Sequence, residues 1–299
     1  MKKIGLVVKN DKDALSKADE LESWLAGRNI EVFRRNVTFS EPRVSHKICD
    51  KSHSAIENSV SHGDEPPNDL SCVIGLGGDG TLLSVARWIG GKDIPIMGIK
   101  YGRMGFLAEC LEENLFGALD RLIEGRFSIN ERMRLHVRVV REGRERVSEH
   151  VLNDVVISKS AISRVIYIKT NVDGQPLTTY TSDGLILATP TGSTAYSLAA
   201  GGPVIHPDVP GFILTPICPF TLSNRPMILP DSAGITIQIA DKSSDAMLTI
   251  DGQNGVEIDY KDIIHVTKSK HPVQIIDLTN LNYFERLKTK LMWNGGSNN

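Results

Sequence analysis

The chain has 299 residues, of which 40% are hydrophobic and 23% are charged, and its formal net charge is −2. This composition is typical of a globular protein large enough for two domains, and it favours neither a nucleic-acid partner nor a membrane partner. No apolar run approaches the roughly 20 residues needed to span a bilayer, and four scattered cysteines indicate a cytoplasmic protein with free thiols.

The first part of the chain alternates predicted strands and helices. Ile4–Lys9 is a predicted strand, Asp11–Ala26 an amphipathic helix and Ile30–Phe33 a second strand. The polar segment Thr38–Asn68 follows, and a later helix is predicted from about Glu113 to Ile123. This alternation predicts a parallel α/β sheet.

A glycine-rich motif, Gly77-Gly78-Asp79-Gly80-Thr81, comes directly after the apolar run Cys72–Leu76. An apolar-periodic stretch to Trp88 follows it, so the sequence predicts a strand, a tight turn and a helix. Backbone N–H groups at such a helix start suit a phosphate. A carboxylate there would repel phosphate unless it holds a metal ion or accepts a hydroxyl proton, and phosphoryl transfer needs both. The alternative is a glycine turn with a solvent-facing Asp.

Gly75, Gly77 and Gly80 also satisfy the dinucleotide-binding pattern G-x-G-x-x-G. That pattern requires an acidic residue at the end of the next strand. Here the predicted strand Ile94–Ile99 is followed by Lys100. The sequence therefore argues against a hydride-transferring Rossmann enzyme.

The pattern changes to short alternating strands after Phe127. The predicted strands are Leu135–Val140, Val155–Ser158, Val165–Thr170, Leu185–Ala188, Ile235–Ile239, Met247–Ile250 and Ile263–Thr267. We predict an α/β domain over 1–130, a β-rich domain over 131–270, and a segment 271–299 that packs back on the first domain. This last segment holds a predicted strand, Val273–Asp277, and a helix, Asn282–Trp293, with Phe284, Leu287 and Leu291 as its apolar stripe.

Three segments of the β-rich part carry polar groups suited to a ligand. A turn with four hydroxyls (Thr189, Thr191, Ser193 and Thr194) precedes a helix predicted to begin at Ser193 or Thr194 and to end at Gly201. N-capping needs only one hydroxyl, which favours a binding loop. Asn153-Asp154 could pair with adenine and ribose, although a turn entering a strand is as good an interpretation. Asp251-Gly252-Gln253 could be an ordinary hairpin turn.

These motifs, in this order, resemble those of NAD kinases, and the resemblance spans nearly the whole chain. It includes the segments Gly102–Leu107 and Thr215–Pro226 and the final helix ending at Trp293. Similar glycine-Asp motifs occur in lipid kinases and 6-phosphofructokinases, whereas the Thr189–Tyr196 segment is far more specific.

The resemblance implies an NAD kinase-like fold, with a Rossmann-like N-terminal α/β domain and an all-β C-terminal domain of packed sheets. It implies a homodimer or homotetramer. It also implies transfer of the γ-phosphoryl group of ATP to the 2′-hydroxyl of the adenosine ribose of NAD, giving NADP, with Mg²⁺ or another divalent cation.

The resemblance also implies roles for single residues. Asp79 would be the catalytic carboxylate, accepting the hydroxyl proton or helping to hold Mg²⁺. The residues implied to bind the substrates are Gly78, Gly80 and Thr81 near the phosphates, Phe106 near the adenosine, Asn153 and Asp154 at adenine and ribose, Asp183, Thr191, Thr194, Ala195 and Tyr196 around the dinucleotide, and Gln253.

The chain departs from the family pattern at two positions. Asp154 stands where the family usually has Glu, and Phe220 where many members have His. Two alternatives remain: a lipid or sugar kinase with the same glycine-Asp motif, and a non-catalytic sensor of NAD(H). Retention of Asp79 argues against the sensor, because binding alone gains little from a carboxylate there.

Overall fold

The computed structural model describes residues 1–38, 43–45, 65–100, 105–107, 110–111, 115–159, 165–240, 246–278 and 282–293. Most of the predicted segment Thr38–Asn68 and the predicted helix start at Glu113 lie outside these ranges. The chain forms two compact units, one of Met1–Phe39, His62–Glu131 and Val273–Asn299, the other of Ser40–Ser61 and Arg132–Pro272. Within the described ranges, no helix is long and apolar enough to cross a membrane.

Among its described residues, the first unit has a seven-stranded sheet and four helices, and elements are numbered in chain order through both units. Its strands are β1 (Lys3–Lys9), β2 (Glu31–Val37), β4 (Cys72–Leu76), β5 (Ile96–Lys100), β6 (Cys110–Leu111), β7 (Ser128–Arg132) and β20 (Val273–Asp277), and its helices are α1 (Lys12–Ala26), α2 (Asp79–Trp88), α3 (Leu115–Ile123) and α5 (Tyr283–Leu291). The strand order is β2-β1-β4-β5-β20-β7, with β6 beside β5. The pairs β1–β2, β1–β4, β4–β5 and β5–β20 are parallel, which confirms the predicted α/β sheet.

Helix α1 shows how sequence pattern sets the packing of this unit. The carboxylate of Asp11 accepts the Ala14 N–H at 3.0 Å, so Asp11 caps the helix and the helix begins at residue 12. Ala14, Ala18, Leu21 and Leu25 are buried on one stripe against the strands. This spacing is the core-facing period of an amphipathic helix.

The last helix differs from its prediction on one face. Asn282 and Glu285 form a reciprocal capping box, which fixes the start of α5. Leu287 is buried as predicted, but Phe284 is 60% exposed, so its predicted place in the apolar stripe is wrong. Helix spacing does allow Phe284 beside Leu287, but the described surroundings leave the ring in solvent.

The second unit contains two sheets that share one core. The first has the order β15-β14-β13-β10-β17-β18-β3 and the second β12-β11-β16-β19-β8-β9. The strands are β3 (Arg43–Ser45), β8 (Leu135–Arg141), β9 (Arg144–Val151), β10 (Asp154–Lys159), β11 (Ile166–Val172), β12 (Gln175–Ser182), β13 (Gly184–Ala188), β14 (Gly211–Ile217), β15 (Met227–Pro230), β16 (Ile235–Ile239), β17 (Ala246–Ile250), β18 (Asn254–Ile258) and β19 (Asp262–Lys268). Inward-facing Val, Ile and Leu side chains of both sheets form a single cluster, which is typical of packed sheets.

The helix predicted from Ser193 or Thr194 to Gly201 is instead split in two. A 3₁₀ turn spans Thr191–Thr194, Ala195 leaves the helical region (φ −97°, ψ −128°), and the four-residue helix α4 spans Tyr196–Ala199. Gly192 packs on the backbone of Asn153, since a Cβ there would lie 2.1 Å from the Asn153 carbonyl oxygen. This contact holds the 3₁₀ turn against the residue that precedes β10.

Candidate functional site

In the first unit, the glycine-rich motif places Asp79 at the first residue of helix α2. Gly78 is the N-cap residue, with extended backbone and no side chain to cap the helix. A Cβ at Gly77 would lie 2.1 Å from Thr81 Oγ1, so the turn closes tightly on the helix. The motif therefore presents a helix N-terminus with a half-buried carboxylate.

The Asp79 carboxylate is held by the backbone of Gly105–Leu107. Phe106 N–H donates to Asp79 Oδ2 at 2.9 Å, and Leu107 N–H donates to Oδ1 at 3.2 Å. A Cβ at Gly105 would lie 1.9 Å from Asp79 Oδ1. These two N–H groups, one on each carboxylate oxygen, hold the carboxylate in a defined orientation at the start of α2.

Thr81 is buried, whereas Gly78, Asp79 and Gly80 of the same motif are half-buried. Its side chain is 1% exposed, and its hydroxyl is buried against Gly77 without a hydrogen-bond partner. This placement gives Thr81 a packing role in the turn, and its predicted contact with phosphate stays a prediction.

In the second unit, Asp251 organises the backbone around Asn153 and Asp154. The Asp251 carboxylate accepts the N–H groups of Leu152 (3.1 Å), Asn153 (2.6 Å) and Asp154 (3.3 Å). Asp251 is 6% exposed and has a positive φ of 49°, in the turn between β17 and β18. Three consecutive N–H groups on one carboxylate fix the backbone at the entry to β10.

The Asp154 carboxyl is only 4% exposed. Burial, reinforced by the neighbouring Asp251 charge, raises its pKa to about 7, although the backbone N–H of Tyr196 donates to it and lowers the pKa. At neutral pH a large fraction of Asp154 therefore carries a proton and can donate as well as accept a hydrogen bond.

In the hydroxyl-rich turn, the side chains of Thr189 and Ser193 form hydrogen bonds that hold the turn itself. Thr189 Oγ1 donates to the Leu152 carbonyl at 2.6 Å and accepts the Gly192 N–H at 3.0 Å. Ser193 Oγ donates to the Pro190 carbonyl at 2.6 Å and accepts the Ile205 N–H at 3.1 Å. Both residues are fully buried, whereas Thr191 and Thr194 are half-buried. Thr194 Oγ1 also donates within the turn, to the Thr191 carbonyl at 3.4 Å.

Two other predicted site residues are Asp183, which lies away from Asp154, and Gln253, which lies in the β17–β18 turn beside Asp251. Asp183 precedes β13 and pairs with Lys159 Nζ at 2.7 Å, whereas Ala188, at the other end of β13, is the register partner of Asp154. Asp183 is therefore about 16 Å along the strand from the Asp154 end. Gln253 closes the β17–β18 turn, its N–H donating to the Ile250 carbonyl at 3.0 Å.

Comparison with known proteins identifies the family. The model of the ATP-NAD kinase N-terminal domain matches residues 4–127, and that of the C-terminal domain matches residues 152–278. The curated NAD kinase of Desulfatibacillum aliphaticivorans is 45% identical over 296 residues, with 99% of both chains covered. That of Syntrophotalea carbinolica is 42% identical over 294 residues, 98% of this chain and 99% of the relative.

The chain belongs to the NAD kinase family.

Solved structures agree with this family assignment. Yeast NADH kinase in complex with NADH superposes with a TM-score of 0.80 at 25% identity, covering 99% of this chain and 89% of the other. An NAD kinase from Archaeoglobus fulgidus in complex with ATP superposes with a TM-score of 0.73 at 24% identity, covering 97% and 98%. The second comparison supports the fold alone.

Sequence reasoning named the segments that contain Gly105 and Asp251 but assigned neither residue a role. Gly105 touches the carboxylate of Asp79, and Asp251 holds the backbone of Asn153 and Asp154. The Asp251-Gly252 pair carried a signal, because such a pair favours the left-handed turn observed here (φ 49° and 64°). Nothing in the local sequence indicates that its carboxylate reaches residue 152.

Proposed function

We propose that this chain transfers the γ-phosphoryl group of ATP to the 2′-hydroxyl of the adenosine ribose of NAD, giving NADP and ADP. The observation that carries the proposal is full-length similarity to curated NAD kinases at 41–45% identity. The fixed carboxylate of Asp79 at the start of α2 supplies the group that this chemistry needs.

In this mechanism the 2′-oxygen attacks the γ-phosphorus, the bond to the β–γ bridging oxygen breaks, and ADP leaves. Asp79 accepts the proton of the attacking hydroxyl on its carboxylate, which the N–H groups of Phe106 and Leu107 orient. Because both N–H donors hold the carboxylate in one orientation, the base is positioned before the substrate arrives.

The nucleoside site of the proposal lies in the second unit. Asn153 presents an amide that can both donate to and accept from the adenine edge. Asp154, Thr191, Thr194 and the Tyr196 region would line the ribose and the dinucleotide. Asp154 stands where Glu is usual, and its burial favours a contact through its proton or through water.

A divalent cation fits this donor set. Within the described ranges, no group of three or more His, Cys, Asp and Glu side chains could hold a metal ion. Mg²⁺ is commonly bound by one carboxylate together with substrate phosphates, and Asp79 is the residue that would hold it. When bound, the cation neutralises phosphate charge.

We further propose a homodimer or homotetramer acting in the cytoplasm, where ATP and NAD are available, with domain boundaries near 130 and 270. Light scattering after gel filtration would give two or four times the chain mass of 32.8 kDa. A monomer mass at micromolar concentration would contradict the oligomer.

The reaction is tested with purified protein, NAD, ATP and Mg²⁺, with product read by an NADP-specific dehydrogenase. We expect NADP to accumulate with one ADP for each NADP. If NAD binds and no NADP forms, the chain is a sensor. If NAD does not bind, the acceptor is another alcohol, such as a lipid or a sugar.

A further inference from the structure

Lys290, on the last turn of helix α5, contacts the residue whose backbone holds the Asp79 carboxylate in the first unit. Its Nζ is 5.4 Å from the centroid of the Phe106 ring, and the N–H of the same Phe106 donates to Asp79. Phe106 therefore links the two groups, its backbone holding the carboxylate and its ring lying under the ammonium. The family resemblance gave Lys290 no role.

The ammonium of Lys290 is partly buried and feels charges of both signs. Burial is the main cause that lowers the pKa of Lys290, the nearby Lys100 lowers it further, and Asp79 raises it. Among the described residues, the Lys290 ammonium makes a cation–π contact with the Phe106 ring. A partly desolvated ammonium thus lies within electrostatic reach of both a second ammonium and the Asp79 carboxylate.

Such a cluster favours an incoming anion. Bringing a polyanion against two lysines relieves their mutual repulsion and offsets the desolvation of Lys290. Lysine binds phosphate as a mobile point charge on a long stem, which suits a group that moves during the reaction.

We propose that Lys290 binds the γ-phosphoryl group of ATP during its transfer. This inference rests on the proposed function, in which Asp79 accepts the proton of the attacking hydroxyl. The phosphoryl group bonds to that hydroxyl oxygen, so it must pass beside Asp79, where Lys290 lies. The ammonium would neutralise the charge on the phosphoryl oxygens as the bond to ADP breaks.

The test compares Lys290→Gln with Lys288→Gln, a matched loss of one positive charge on the exposed side of the same helix. We expect Lys290→Gln to lower kcat/KM for ATP by at least about tenfold, the usual scale of a lost charge-assisted hydrogen bond. The KM for NAD and the melting temperature should stay at the wild-type values, and Lys290→Arg should recover much of the loss. Lys288→Gln should match wild type on every measure.

A rise confined to the KM for NAD would place Lys290 on the acceptor and overturn the proposal, as would unchanged ATP kinetics. A second arm uses wild-type protein and so does not depend on folding of a variant. ATP should protect Lys290, and not Lys288, from acylation by an amine-reactive ester, read by mass spectrometry. Equal labelling with and without ATP contradicts the inference. Because this arm needs no NADP formation, it separates failure of the inference from failure of the proposed function.

Discussion

At the scale of single residues, the carboxylate of Asp79 depends on a neighbour that has no side chain. Gly105 allows the backbone of Phe106 and Leu107 to approach both carboxylate oxygens. Asp79 was predictable because glycines flank it directly after an apolar strand. Gly105 was not, because its partner lies 26 residues away and no local pattern records that contact.

Gly105→Ala is expected to abolish most NADP formation while leaving the fold intact. Its Cβ would lie 1.9 Å from Asp79 Oδ1, so the carboxylate must rotate away from its two donors. The matched control is Gly117→Ala in α3, where a Cβ meets nothing within 4 Å; it should be neutral or stabilising by about 0.5–1 kcal/mol. Steady-state kinetics and thermal melts on both variants decide the point. Wild-type turnover in Gly105→Ala would show that the orientation of Asp79 is unimportant.

Asp154→Asn is expected to stabilise the protein at neutral and alkaline pH. The pKa of Asp154 is raised to about 7, so the folded state holds a proton that the unfolded state releases near pH 4. Below pH 4, this carboxyl therefore does not lower the free energy of unfolding. As the pH rises to about 7, it lowers the free energy of unfolding progressively, and above that pH the loss is constant. The full loss is roughly 4 kcal/mol at most.

Urea unfolding of wild type and Asp154→Asn at pH 4, 6 and 8 measures this cost. The gap in unfolding free energy should be near zero at pH 4 and widest at pH 8. A gap that stays constant with pH would show that Asp154 titrates normally.

At the scale of elements, Asp251 joins the β17–β18 turn to the start of β10. Its three accepted hydrogen bonds hold the residues that we place at the nucleoside. The turn was recognisable from Asp251-Gly252, but its partner segment was not, because the β10–β17 pairing brings together residues about 100 positions apart.

Asp251→Ala should destabilise the protein by about 3 kcal/mol in urea unfolding, because it leaves buried N–H donors without an acceptor. It should also raise the KM for NAD, since the backbone of Asn153 and Asp154 loses the carboxylate that holds it. The control Asp208→Ala removes an exposed carboxylate of the same unit and should change stability by less than about 0.5 kcal/mol. If Asp251→Ala and Asp208→Ala change stability and the KM for NAD equally, the Asp251 carboxylate does not hold the backbone at the start of β10.

Strand prediction succeeded for strands with one buried face, but it missed two edge strands and the almost fully buried inner strand β14. β16 (Ile235–Ile239) alternates buried and half-buried residues, and its predicted bounds are confirmed. β9 (Arg144–Val151) and β12 (Gln175–Ser182) are the two outer strands of the six-stranded sheet and are mostly polar, so their sequences resemble loops. Edge strands pack on fewer neighbours, and their alternation is correspondingly weak.

At the scale of the whole molecule, local pattern predicted the classes of both units but not the order of their strands. The alternation of strands and helices in the first unit and of short strands in the second was enough for an α/β sheet and packed β-sheets. That β20, near the end of the chain, lies between β5 and β7 depends on long-range packing. The NAD kinase function was predicted from the family resemblance, which depends on several motifs spread along the chain. No single element indicates that function.

The role of Asp79 is best measured by single-turnover NADP formation in Asp79→Asn, with Asp93→Asn as the control for loss of an exposed carboxylate in the same unit. We expect Asp79→Asn to melt at the wild-type temperature and to bind ATP and NAD. This variant should form NADP at least about 10²–10⁴-fold more slowly, the usual contribution of a positioned general base, while Asp93→Asn should react at the wild-type rate. A folded Asp79→Asn that reacts as fast as Asp93→Asn would show that Asp79 is not the catalytic carboxylate.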